Sequence, residues 1–167
     1  MSAYTITTTR KPRGFAVADA AGTVLASLVQ PSYFSQDMVG TVGSSTLRIA
    51  GEGFWRMRQG VFLAGARIGG IRTTAWGHLQ WTLALPDKPV VELQFASAAW
   101  RYRYYVRLDK DLPLLELRPK SKWAMYPAFE VEVVGAGIAP EQMPLMLALA
   151  GYSARLKKAR AHAAGGA

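Results

Sequence analysis

The chain has 167 residues, half of them apolar and 19% charged, with no cysteine and a formal net charge of +9 from 20 Lys and Arg against 11 Asp and Glu. This composition excludes a disordered chain, and the missing cysteine excludes a disulfide scaffold, a thiolate metal site and a cysteine nucleophile. One domain of this length can bury a core without disulfides, which fits a cytoplasmic location, and the excess positive charge favours acidic partners such as an anionic membrane surface or nucleic acid.

The opening "MSAYTITTTRKPRG" has no apolar run, so no signal peptide is read there. From Tyr4 to Val134 apolar residues recur with period two, the pattern of half-buried strands. "FAVA" and "TVLASLV" flank a turn at Asp19–Gly22. Gly51 and Gly53 separate "TLRIA" from "FWRMR", Gly60 is read as dividing "FWRMR" from "VFLA", and Gly65 precedes "ARIGGI". "HLQWTLAL" sets Leu79, Trp81, Leu83 and Leu85 on one face, and "PDKP" (86–89) divides it from "VVELQF". "WRYRYYVRL" sets Trp100, Tyr102, Tyr104, Val106 and Leu108 on one face and Arg101, Arg103, Tyr105 and Arg107 on the other. "DKDLP" (109–113) turns the chain into "LLELRP", and "FEVEVV" alternates once more. Turn chemistry every eight to twelve residues or so predicts roughly ten to twelve antiparallel strands in a sandwich or barrel.

The alternation then stops. "PEQMPLMLALAGYSARLKKAR", Pro140 to Arg160, is predicted to be a helix, with Pro140 and Glu141 suited to its start and Arg155, Lys157, Lys158 and Arg160 to its end. Its first half is apolar on every side. A transmembrane span needs about 20 apolar residues, and Met143 to Ala154 is too short, so none is expected. A shorter all-round apolar helix belongs inside the protein. The fold class is therefore read as mostly β, a closed antiparallel barrel of about twelve strands around one buried C-terminal helix. Leu145, Leu147, Leu149 and Tyr152 form the helix core, with Met146 and Ala148 shielded as well. An amphipathic helix laid across a sandwich is the competing arrangement. The domain is placed at 1–161, with 162–167 as a disordered tail.

No catalytic constellation is visible. His78 and His162 lie far apart with no third nitrogen ligand, so neither a metal nor a cofactor is expected. "GSS" (43–45) reads as a turn, Asp109 and Asp111 as hairpin chemistry, and the Gly-x-Gly at Gly51–Gly53 leads into a strand where a phosphate loop needs a helix. Glu130 and Glu132 share an outer strand face. The basic residues are more informative. Arg56 and Arg58 alternate on one strand, and Arg101, Arg103 and Arg107 on another. Arg118, Lys120 and Lys122 form a loop beside Trp123 and Tyr126, and Arg155 to Arg160 add the helix exit. Cations interleaved with aromatics suit anionic phospholipid headgroups or single-stranded nucleic acid, the latter the less favoured partner. The candidate anion-binding set is Arg101, Arg103, Arg107, Arg118, Lys120 and Lys122. A solvated arginine-rich face is the competing explanation.

"FAVADAAGTVLASL", "ARIGGI", "YYVRLDKDLPLLELRP" and "FEVEVVGAGIAPEQMPLMLALAGYSARL" together span most of the chain. In order and character they resemble the tubby C-terminal-like domains, the superfamily of the LURP-one-related proteins, the phospholipid scramblases and small bacterial single-domain members. The resemblance implies a barrel of about twelve strands threaded by its C-terminal helix. In the eukaryotic tubby proteins a basic surface recognises phosphoinositides, and the resemblance carries over only that general idea. The buried helix, the net charge of +9 and the missing catalytic set point to a non-enzymatic domain that associates with anionic lipid or with a protein partner. A β-barrel carrier of a small apolar ligand is the alternative function, and an enzyme without a recognisable motif a third. A barrel filled by its own helix has no lumen left for a ligand.

Overall fold

The computed structural model describes residues 3–53, 57–85, 90–98, 103–121 and 127–165. The strands are β1 (Ala3–Arg10), β2 (Arg13–Ala18), β3 (Val24–Val29), β4 (Met38–Val42), β5 (Ser45–Glu52) and β6 (Arg58–Leu63). They continue as β7 (Ala66–Thr73), β8 (Leu79–Leu83), β9 (Val91–Ala98), β10 (Arg103–Arg107), β11 (Pro113–Pro119) and β12 (Phe129–Val133). A 3₁₀ turn over Pro140–Gln142 leads into the helix α1 (Met143–Gly165). Every strand pairs antiparallel with its sequence neighbours, and β1 pairs with β12 to close the barrel. The protein is thus a closed twelve-strand antiparallel barrel with one C-terminal helix.

The period-two pattern sets the register. In β8, Leu79, Trp81 and Leu83 are buried while Gln80 and Thr82 are half-buried on the outer face. In β10, Val106 is buried and Tyr104 packs half-buried against the core. Trp81 stacks on Phe95 and Phe95 on Tyr104, which meets Phe129 edge-on, so an aromatic row lines one wall. The hairpin turns are local chemistry: Asp19 Oδ1 accepts the amides of Ala21 and Thr23, which fixes the first of them.

Helix α1 supplies the other half of the core. Leu145, Met146, Leu147, Ala148, Leu149, Ala150, Tyr152 and Ala154 are all buried. Each buried leucine is worth about 1.5–3 kcal/mol of transfer free energy. An unbroken buried stretch requires wall on every side, which only a closed sheet provides. Two contacts fix the fit. Trp81 Nε1 donates to Ser153 Oγ at 3.0 Å inside the barrel, so the hydroxyl and the indole satisfy each other. A Cβ on Gly151 would lie 2.7 Å from the Phe15 ring, so the glycine lets the helix approach β2.

Four local expectations differ from the structure. Arg118, read as part of a loop with Lys120 and Lys122, lies inside β11 opposite Glu130, because the ladder with β12 continues to Pro119. Gly60 does not divide two strands but lies inside β6, opposite Ala50 and Gly70. A side chain there would meet the Glu52 carboxylate and the Phe62 ring, so the glycine makes room on the outer face and is not a turn. Leu108 is exposed because β10 ends at Arg107 and the chain already turns. The helix passes Arg160 and runs to Gly165, since Ala161, Ala163 and Ala164 carry it on; alanine is the strongest helix former, and residues 162–165 are helix and not tail. Among the described residues no helix is long and apolar enough to cross a membrane.

Candidate anion-binding rim

The register of β10, β11 and β12 gathers much of the basic set on one outer wall. Arg103 Nη1 and Arg118 Nε both donate to Glu116 Oε1 at 2.7 Å, and Arg118 Nη2 lies 3.2 Å from Glu132 Oε2. Lys120 Nζ is 3.6 Å from Glu130 Oε1, and Arg107 Nε donates to Gln94 Oε1 at 3.3 Å. Glu116 is only 8% exposed, shielded under the two guanidinium groups it holds. Its hydrogen bond and charge raise the Arg118 guanidinium further above its ordinary value. This wall is a ladder of alternating sign, and its carboxylates offset much of the field the arginines would offer a ligand. Arg56, Arg101, Tyr102, Lys122, Trp123 and Tyr126 lie outside the described residues.

A second group of cations collects at one end of the barrel. The antiparallel meander puts the β1–β2, β3–β4, β5–β6, β7–β8 and β11–β12 connections at the rim where α1 leaves, here the upper rim. The remaining turns and the start of α1 form the lower rim. The upper rim carries Arg10, Lys11 and Arg13 at the β1–β2 turn, Lys120 after β11, and Arg155, Lys157, Lys158 and Arg160 on α1. Asp37 is the acid in its described connections. It also exposes aromatic rings: Phe34 at 90%, Trp76 at 88%, and Tyr33. Tyr33 and Phe34 meet edge to face, and the Arg13 guanidinium lies 3.6 Å over the Tyr33 ring.

The helix cations are held in place. Arg155 Nη2 donates to Gln30 Oε1 at 3.1 Å, Lys157 Nζ to Ser97 Oγ at 3.1 Å, and Arg160 to the Thr73 hydroxyl. Burial lowers Lys157, Lys158 and Arg160 from their ordinary values, because water is partly stripped from the charged form. An anion delivered to this rim would relieve that cost.

The helix was expected to leave no room for a ligand, but beside its exit a cavity of about 280 Å³ remains between α1 and the wall of β1–β4 and β12. Its inner surface is apolar, made by Met38, Pro127, Phe129, Tyr152 and Leu156. Its mouth carries Arg13, Gln36, Arg155, Lys158 and His162, and no described lining residue is acidic. Tyr152 Oη is buried without a hydrogen-bond partner among the described residues, and burial pushes its ionisation well above the usual tyrosine range.

Sequence reasoning singled out the cations of the helix exit but passed over Arg10, Lys11, Arg13, Tyr33, Phe34 and Trp76. The available signal was an aromatic residue inside turn composition, as in "PSYFSQD" and "TTAWGH", where no strand alternation explains an exposed ring. Among the described residues no three His, Asp or Glu side chains gather as metal ligands.

No family model and no curated protein matches the chain. Among solved structures it is similar to the X-ray structure of a protein from Arabidopsis thaliana, AT5G01750, with a TM-score of 0.56, 16% sequence identity and coverage of 89% of each chain. That likeness shows a shared fold over most of both molecules.

Proposed function

We infer that this protein is a non-enzymatic binding domain that docks its upper rim on anionic membrane surfaces. The observation that carries the reading is the coincidence of exposed Tyr33, Phe34 and Trp76 with Arg10, Lys11, Arg13 and the helix cations at one end of the barrel. Tyrosine and tryptophan rest at the headgroup level of a bilayer, and each nearby cation adds about 1 kcal/mol of attraction to an anionic leaflet. The same reading takes the chain as a tubby-like domain acting as a peripheral membrane protein in the cytoplasm, and the helix-filled barrel supports it. The contact moves from the arginine ladder of β10 and β11 to the rim above it, because the ladder's charges are largely matched by its own carboxylates. A carrier holding an apolar ligand along the barrel axis is disfavoured, since α1 occupies that axis.

Sedimentation with vesicles tests this. Retention is expected on phosphatidylserine vesicles, not on phosphatidylcholine, and should weaken steeply as salt rises. Replacing Trp76 and Phe34 with Ala should reduce retention even at low salt. Absence of retention on phosphatidylserine at low salt overturns the proposal. Preferential retention on single-stranded DNA, run in parallel, assigns the rim to nucleic acid instead.

A further inference from the structure

The cavity beside α1 has small residues on its helix side. Gly151, Ala154 and Ala159 line it on the helix side, and it is bounded inside by Met38, Phe129 and Leu156. Buried apolar lining with a polar, exposed mouth is the general form of a small-molecule site, and about 280 Å³ stands just below the range of roughly 300–1,000 Å³ for drug-sized ligands, which suits a slender one. One apolar chain fits there; the two chains of a diacyl lipid do not. At the mouth Arg13, Arg155 and Lys158 approach from β2 and from two turns of α1, with no acid among the described lining residues. A cationic head is repelled there and a neutral head gains nothing from the charge.

We propose that this cavity binds a single-chain acidic amphiphile, its carboxylate or phosphate monoester held at the mouth by Arg13, Arg155 and Lys158 and its chain lying against Met38, Phe129 and Leu156. The site is distinct from docking on a bilayer, since it needs one molecule and no surface. Tyr152 borders the same space, and its ring adds apolar wall.

Titration calorimetry at pH 8 with decanoate and decyl phosphate, both below aggregation, tests the proposal against 1-decanol and decyltrimethylammonium. One equivalent of either anion should bind, and the relative affinity of the two shows whether carboxylate or phosphate is preferred. Ala159→Trp, at an exposed helical position on the cavity wall, should weaken binding at least about tenfold, or 1.4 kcal/mol, with an unchanged thermal midpoint. Arg13→Glu should weaken the anions and leave 1-decanol unaffected. Equal binding of 1-decanol by the native protein, unchanged affinity in folded Ala159→Trp, or no binding of either anion at millimolar concentration would overturn the assignment. Replacing Phe34 and Trp76 with Ala should leave decanoate binding intact while reducing vesicle retention, so failure of the surface reading and failure of this one are told apart.

Discussion

The lower and upper rims are ends of the same twelve strands, yet they carry opposite chemistry. At the lower rim the described turns hold Asp19, Asp109, Asp111 and Glu141 against Lys110, and the exposed apolar residues are aliphatic: Val24, Val90, Leu108, Leu112 and Val134. At the upper rim the charges are mainly basic and exposed rings appear. At the β2–β3 hairpin of the lower rim the composition is set by backbone geometry, with Asp19 and Gly22 in turn positions. The β3–β4 connection of the upper rim is longer, and it exposes Tyr33 and Phe34. The helix carries the same division, since Glu141 stands just before α1 and Arg155 to Arg160 lie in its second half. A net charge of +9 therefore describes neither end; the described charges are polarised along the barrel axis.

The most drastic way to break this contrast is to loosen the helix that spans both ends. Leu147→Ala should lower unfolding free energy by about 2–5 kcal/mol in denaturant titrations, because Leu147 is fully enclosed at mid-barrel. A charge exchange separates the ends directly. Arg10→Glu with Lys11→Glu should weaken phosphatidylserine vesicle binding by more than about tenfold, at about 1 kcal/mol for each cation lost. Asp109→Lys with Asp111→Lys, at the lower rim, should leave it within about twofold, because that end is held beyond a Debye length of about 8 Å. Equal effects from the two pairs would end the assignment of function to one rim.

Glu116→Gln sharpens the contrast from the other side. It releases Arg103 and Arg118 from their shared carboxylate, so vesicle retention at low salt should rise modestly while the thermal midpoint falls little. Unchanged retention would mean that the β10–β11 wall never faces the anion. The smallest effect at neutral pH is expected from Tyr152→Phe, which removes a hydroxyl with no described partner. Its consequence appears in alkali. The folded Tyr152 ionises far above the ordinary value of 10.0, so it contributes stability below that value that is lost as pH rises past it. Thermal midpoints from pH 8 to 11 should fall faster in the native protein than in Tyr152→Phe. Lys157 and Lys158, displaced downward, act with the opposite sign in both proteins and cancel in the comparison.

The fold was legible because its two periodicities are clean. Alternation in "HLQWTLAL" and "WRYRYYVRL" fixes which face is inward, and the all-apolar "LMLALA" cannot sit on a surface. Glycine was less legible. Gly60 looks like a break, but its role depends on Glu52 and Phe62, which reach it through the fold and not through the local chain. The arginine ladder has the same limit. Alternation puts Arg103 and Arg107 outside, but nothing local says that Glu116 and Glu132 come within hydrogen-bond distance, since that depends on which strands are neighbours. The rim and its cavity are assembled from the β1–β2, β3–β4 and β7–β8 connections, the end of β11, β12 and α1, so no short segment displays them.

Closure through β1 and β12 has a kinetic side. Every other ladder joins strands that follow one another, whose loop-closure cost is small, whereas Ile6 must find Phe129 across nearly the whole barrel sequence. The helix that fills the lumen follows all of the strands, so during synthesis the sheet emerges before the apolar stem it is to surround. Until α1 arrives, the inner faces of β2 and β3 have nothing to pack against. A nascent chain halted after β12 would present those faces to water, as a sticky open sheet whose unpaired edges invite chaperones or neighbouring chains.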